Sequence, residues 1–237
     1  MPIIKKILLH HNYSRIFYLI ILAIISTHPI STQAENVNVV GDLTLTDPYT
    51  LMGDKHLAND YPPMNADDTI NVIVEIPAGS VDKWEVDKSS GHLKWEFKDD
   101  QPRQVQYLGY PGNYGMIPQT LLSEAEGGDG DPIDVLLLGA ALPRGSVIPS
   151  RLLGVLKMRD DGEQDDKLIA VPLDSPWAKL SSLEELDTEF SGITQIIELW
   201  FTHYKGPGKM KSLGFDGPDK AQDILNNAIQ AFLQAQP

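Results

Sequence analysis

From residues 69 to 171 the apolar side chains fall in short runs, each cut by Gly, Ser or Pro, and this confines the chain to a fold built from short strands. Ile70, Val72, Val74 and Ile76 alternate with Asn71, Ile73 and Glu75, the pattern of a strand with one mostly buried face. Further strands are expected over 83–87, 93–97, 104–108, 133–138, 152–158 and 168–171. Helical period enters only late. Ile193, Ile196, Ile197, Trp200 and Phe201 share one face of a turn repeating every 3.6 residues. Pro218 then opens a last helix with Ala221, Ile224, Leu225, Ala228, Ile229 and Phe232 along one side. Many strands followed by two helices predict a mainly β (α+β) fold, a β-barrel with C-terminal helices packed outside it. The Trp200–Phe201 stripe is read chiefly as core, with an interface as its other possible use.

Residues 1–34 are set apart from this domain. Lys5, Lys6 and Arg15 precede the unbroken apolar run 16–25, and small residues lead to Ala34. A basic start, an apolar centre and a small-x-small end read as a secretory signal peptide. Ten apolar residues make about 15 Å of helix against a hydrocarbon core of about 30 Å, too short for a span. The expected destination is a bacterial periplasm or the exterior, with no membrane attachment after removal. Residues 35–68, rich in Asn, Asp, Thr and Pro, read as an irregular arm, and 69–237 as one domain. The full chain carries a formal charge of −14, and loss of the signal takes three positive charges, giving −17. That balance argues against nucleic acid as a partner. The absence of cysteine excludes thiolate zinc sites and cysteine nucleophiles.

Acidic clusters carry the chemistry. Asp129, Asp131 and Asp134 crowd a loop that Gly130 and Pro132 force to turn, just before an apolar strand. Asp160, Asp161, Glu163, Asp165 and Asp166 form a second cluster beside Lys167, and Glu75 and Glu85 a third near Lys83. Crowded carboxylates repel, so they need either open solvent or cations, and hard oxygen donors suit Mg²⁺, Mn²⁺ or Ca²⁺. The first loop is no EF-hand, because position 6 is Asp134 and position 12 is Ala140. Among these acids lie the donors Lys83, Arg103, Lys167 and Lys205, with Tyr114 and Tyr204. Acids together with such donors suit a phosphate ligand bridged by metal. Two rivals stand beside that reading. One is a binding module whose acids form a metal-stabilised surface, and the other a broader phosphoanhydride hydrolase, though the short Gly206-Pro207-Gly208-Lys209 is no nucleotide loop.

Asp129-Gly130-Asp131-Pro132-Ile133-Asp134-Val135 resembles the signature of the family I soluble inorganic pyrophosphatases. Glu75-Ile76-Pro77, Lys83 to Lys88, Tyr110-Pro111-Gly112-Asn113-Tyr114-Gly115, Gly154 through Lys167, and His203-Tyr204-Lys205 resemble the family's other segments, in order. The resemblance implies a five-stranded, OB-like closed barrel that hydrolyses pyrophosphate with several Mg²⁺ ions (Mn²⁺ a possible substitute), as a bacterial hexamer. It implies metal ligation by Asp129, Asp134, Asp165, Asp160 and Glu85, with Glu75 supporting the site. Asp131 matches the base that deprotonates the attacking water, and Lys83, Tyr114, Lys167, Tyr204 and Lys205 match the phosphate-binding set. The family's arginine falls in a stretch that is lengthened here, and Arg103, seven residues before Tyr110, is matched to it in preference to Lys98.

Overall fold

The structure, a computed structural model, describes residues 43–236, so the export signal read over 1–34 lies outside the described residues, as do 35–42. The strands in chain order begin with β1 (Thr44–Asp47), β2 (Thr50–Met52), β3 (Ile70–Ile76), β4 (Trp84–Val86), β5 (Leu93–Trp95), β6 (Phe97–Lys98), β7 (Gln101–Pro102), β8 (Asn113–Met116), β9 (Asp134–Leu137), β10 (Val147–Asp160), β11 (Glu163–Gln164) and β12 (Lys167–Pro172). Then follow α1 (Leu183–Glu189), α2 (Ile193–His203), β13 (Met210–Asp216) and α3 (Pro218–Ala235).

Five strands close on themselves in the order β3–β8–β9–β12–β10 and back to β3. This is the OB-like barrel with C-terminal helices that the strand pattern and the family resemblance imply. The long β10 makes closure possible. Its first four residues pair with β3, its middle with β12, and its far end with β13 and β11. Closure leaves no open edge in the ring. Every pairing in the ring is antiparallel except β9 with β12.

Burial is more complete than simple alternation predicts. All seven residues of β3 are buried, Asn71 and Glu75 included. One set of barrel side chains, with Leu136, Ile169 and Val171, packs with α1 and α2. The alternate set, with Val72, Val135 and Ala170, packs with Ala221, Leu225 and Ala228 of α3. Trp200 and Phe201 of α2 belong to the first of these cores. Among the described residues no helix is long and apolar enough to cross a membrane.

Three local expectations change. The arm read as irregular holds the β1–β2 hairpin, and β2 joins β5 and β4 in a four-stranded side sheet. Leu51, Leu57 and Ala58 are buried there against Trp84, Val86 and Leu93. Strands of four and three residues are too brief for alternation to reveal. The stretch 104–108 is not a strand. Only Gln104 pairs, in a single antiparallel bridge to Asp82, while further on Leu108 is exposed and its carbonyl accepts the Trp200 indole N–H of α2 at 3.0 Å. Just beyond, Gly109 passes so close to Gly79 that a Cβ would meet its carbonyl oxygen at 2.2 Å. Finally, α1 is an unexpected helix. Its start is written in Ser182, whose hydroxyl accepts from the Glu185 N–H at 3.1 Å as an N-cap.

Candidate active site

Strand register builds the floor of the site. Asp134 opens β9 and lies opposite Lys167, the first residue of β12, in the parallel pair. The same Asp134 lies opposite Met116 of β8, whose face Tyr114 shares. Lys167 Nζ donates to Asp134 Oδ2 at 2.5 Å and also to the Asp165 carboxylate. The Tyr114 hydroxyl donates to the same Asp134 oxygen. A lysine only 1% exposed is tolerable because two carboxylates flank it.

Charge states follow from this packing. Burial pulls the Lys167 ammonium towards neutrality, but Asp134 and Asp165 overcome it and hold Lys167 well above its usual range. For Asp134 burial is likewise outweighed, by Lys167 and Lys83, and its carboxyl lies below the usual range. For Asp165 burial prevails and pushes the carboxyl up to about 6. Burial, then the Asp134 charge, raises the Tyr114 phenol well above its ordinary value, so it remains a hydrogen-bond donor.

The rim comes from loops and from the side sheet. Lys83 and Glu85 form an ion pair across the buried Trp84. Lys205, after α2, pairs with Asp160 at the end of β10. Asp131 pairs with Lys88, which also donates to the Gly130 carbonyl at 3.0 Å. The Asp131 N–H donates to Asp129 Oδ1 at 3.0 Å, folding the acidic loop on itself. Burial, with repulsion from Asp131 and Asp134, raises the Asp129 carboxyl. One terminal nitrogen of Arg103 donates to both Glu96 oxygens at 2.6 and 2.7 Å.

These residues meet in one cavity of about 260 Å³. Its walls hold the carboxylates of Asp129, Asp131, Asp134, Asp160, Asp165 and Glu85, the cations Lys83, Arg103, Lys167 and Lys205, and the phenols Tyr114 and Tyr204. Lys98 lies instead in an adjoining cleft that shares Arg103 with it. Of the metal and substrate ligands expected from the sequence, Glu75 is the one outside this cavity, lining an adjoining cleft that shares Lys83, Glu85, Asp131 and Asp134 with it. Its buried carboxylate accepts the Val86 N–H at 2.7 Å, and burial pushes its carboxyl up to about 8. Three contributors have no role of their own in the sequence reading, where Glu163 is named only as a member of the second acidic cluster. Glu163 also lines the cavity, Glu96 holds Arg103, and Lys88 holds Asp131. Neither Lys88 nor Glu96 carries a periodic signal, since each acts from the end of a strand in another sheet. Asp166, next to Asp165, turns away and caps the Met158 N–H at 2.9 Å.

The anionic donors of the cavity are all carboxylates, with no imidazole or thiol among the lining groups, and this set fits hard divalent cations. Among the described residues no three carboxylates converge as a ready-made cage. Lys167, Lys205, Lys88 and Lys83 neutralise them in pairs instead.

A closed barrel with carboxylates, ammonium groups and phenols crowded at one end defines a class of proteins that bring cations and a polyanion together. The family model for inorganic pyrophosphatase matches residues 72–233. An inorganic pyrophosphatase of Xylella fastidiosa is 38% identical over 178 residues, covering 73% of this chain and 94% of the relative. Among solved structures, the Helicobacter pylori inorganic pyrophosphatase matches with a TM-score of 0.62 at 33% identity, covering 74% of this chain and 99% of that one. The type I inorganic pyrophosphatase of Toxoplasma gondii matches with a TM-score of 0.72 at 27% identity, over 76% and 88% of the two chains. The chain belongs to the inorganic pyrophosphatase family, in its soluble family I form. Its activity is hydrolysis of inorganic pyrophosphate, and a non-catalytic binding module is not favoured.

Proposed function

We propose that this chain hydrolyses pyrophosphate with Mg²⁺, several ions being held by Asp129, Asp134, Asp160, Asp165 and Glu85, with Glu75 as a buried support. The observation that carries the reading is the meeting of these carboxylates with four cationic side chains and two phenols in one cavity. When bound, such ions offset the repulsion between a polyanionic substrate and a chain of charge −14, and they lower the pKa of a water towards about 7.

The side chains do the rest. Asp131, on the exposed loop, orients the attacking water and accepts its proton. Lys83, Arg103, Lys205 and Tyr204 hold phosphoryl oxygens from the rim, and Lys167 and Tyr114 do so from the floor. Arg103, Lys205 and Tyr114 must exchange their present partners, Glu96, Asp160 and Asp134, for substrate oxygens. Tyr114 serves as a donor because its phenol stays protonated. Water adds to one phosphorus, the bridging P–O bond breaks, and two phosphates leave.

Phosphate release from pyrophosphate, ATP and polyphosphate, each with Mg²⁺ and with chelator, tests the reading. Release from pyrophosphate alone, abolished by chelator, is expected. Equal release with and without chelator excludes the metal requirement, and release from ATP or polyphosphate at a comparable rate restores the broader hydrolase.

Export and assembly belong to the same proposal. The basic, apolar and small-residue order of 1–34 supports secretion to the periplasm or exterior. Ile196 and Leu199 stand 60% and 59% exposed on α2, which supports self-association, with a hexamer as the expected form. N-terminal sequencing of the exported protein and sedimentation analysis test the two.

A further inference from the structure

Beneath the rim lies a cluster of flat groups that none of the roles above employs. Trp84 and Trp95 are directly opposed across β4 and β5, with ring centres 5.6 Å apart and planes 26° from parallel. The guanidinium carbon of Arg144, from the loop between β9 and β10, lies 4.5 Å from the Trp84 ring centre. Arg144 Nε also donates to the Glu75 carbonyl oxygen of β3 at 2.8 Å.

Arg144 is an expensive residue in this place. It is half-buried, and among the described residues no carboxylate stands within ion-pair distance of it. Burial pulls its guanidinium down to about 10, against a smaller opposing pull from the Asp82 carboxylate. A half-buried charge with no ion pair depends largely on what nearby dipoles and π contacts return. Here those contacts run towards the cavity. Trp84 sits in the chain between Lys83 and Glu85, both on the cavity wall. The Trp95 indole N–H donates to the Arg103 carbonyl at 2.9 Å, and the Lys83 N–H donates to the same carbonyl at 3.0 Å. One guanidinium therefore ties a barrel strand to the backbone that carries two of the cationic rim residues, Lys83 and Arg103.

We propose that Arg144 is a positioning residue for pyrophosphate binding: through Trp84 and Trp95 it fixes the backbone from which Lys83 and Arg103 reach the phosphoryl oxygens. The proposal rests on the reading that Lys83 and Arg103 contact the substrate. Displacing a binding group by about 1 Å is enough to cost up to 100-fold. Arg144→Met is expected to raise KM for pyrophosphate about ten-fold while kcat stays within about three-fold. Arg144→Lys keeps the charge but loses the flat fork and should fall between wild type and Arg144→Met. Trp95→Phe keeps a ring on Trp84 and loses the donor to Arg103, and should raise KM about three-fold.

Steady-state kinetics of the full chain, with Lys83→Met as the control, decides the matter. A merely structural role lowers the melting temperature of the Arg144 variants and leaves KM of the folded protein unchanged. If Lys83→Met raises KM and a folded Arg144→Met does not, the positioning role is overturned while the reading of the site stands. If Lys83→Met itself leaves KM at the wild-type value, that reading fails and the proposal falls with it. Should Arg144→Met not fold, Arg144→Lys and Trp95→Phe are judged by the same split between KM and kcat.

Discussion

At the floor of the cavity Lys167 is 1% exposed and touches two carboxylates, whereas at the rim Lys88 is 56% exposed and touches one. The floor residues come from barrel strands whose register fixes them, Lys167 opposite Asp134 in the one parallel pair of the ring. The rim residues come from loops and a side sheet, where the Lys88–Asp131 pair is solvated on both sides. The two regions use the same chemical groups, yet removing a partner means different things in each. At the floor it strands a buried charge, and at the rim it exposes one to water. Fold and catalysis should therefore be coupled at the floor and separable at the rim.

The largest effect is expected at the floor. Lys167→Met leaves Asp134 and Asp165 facing one another without their shared cation. Breaking a buried pair in this way costs about 3–5 kcal/mol, so denaturant melts should show a large loss of stability together with loss of phosphate release. A second change, Asp165→Asn, should return part of the stability but none of the activity. If Lys167→Met melts like wild type, the floor is no more coupled than the rim.

Asp131→Asn comes next, and it tests the other half of the contrast. The side chain is exposed and its size is preserved, while its charge, its exposed pair with Lys88 and its capacity to take a proton are lost. Stability should stay within about 1 kcal/mol while kcat falls by about 10²–10⁴. Near-normal turnover would remove Asp131 from its role as base. A loss of stability matching that of Lys167→Met would erase the distinction between the regions.

Glu75, buried between floor and rim-bearing strands, responds to pH. Its carboxyl is pushed up to about 8 by burial, from an ordinary value of 4.5. The folded chain therefore holds this proton more tightly than the unfolded chain, and stability from this group is lost as pH rises from about 5 to about 8. Glu75→Gln has no proton to lose and can still accept the Val86 N–H. Without added metal the variant should be more stable than wild type by a few kcal/mol at about pH 8, and the gap should close towards pH 5. A gap independent of pH, measured by urea melts, would contradict a buried titrating carboxylate.

How much of this was readable beforehand depends on what kind of signal each residue left. The barrel and the last two helices were visible because Ile70–Ile76 alternates and residues 193–201 and 221–232 repeat at helical spacing. The short β1 and β2 were not, since three or four residues establish no period. The cavity residues were reached through the crowded loop 129–134 and the ordered segments that resemble a family, not through periodicity. Parallel pairing of β9 with β12 lay beyond any local pattern, because it joins residues 33 positions apart such as Asp134 and Lys167. Arg144 left no signal at all. It is a lone arginine in a loop, and only the packing of Trp84 gives it meaning.

Lys88 offers the smallest effect and the finest test of the rim. Its pair with Asp131 is more than half exposed on both sides, and such pairs contribute only about 0–1 kcal/mol to stability. Lys88→Ala should therefore leave the melting temperature nearly unchanged. The charge balance of the acidic loop does change, because Asp129, Asp131 and Asp134 lose a neighbouring ammonium group. A more negative loop attracts cations more strongly, so the Mg²⁺ concentration giving half-maximal rate should fall about two-fold at low ionic strength. The difference should fade as added salt screens the loop, whereas a floor substitution such as Lys167→Met keeps its effect at every salt concentration. Magnesium titrations of activity at low and high potassium chloride measure this directly. A Mg²⁺ requirement that rises in Lys88→Ala would mean that the lysine organises the loop for its cations instead of competing with them, and the rim would then share the coupling assigned to the floor.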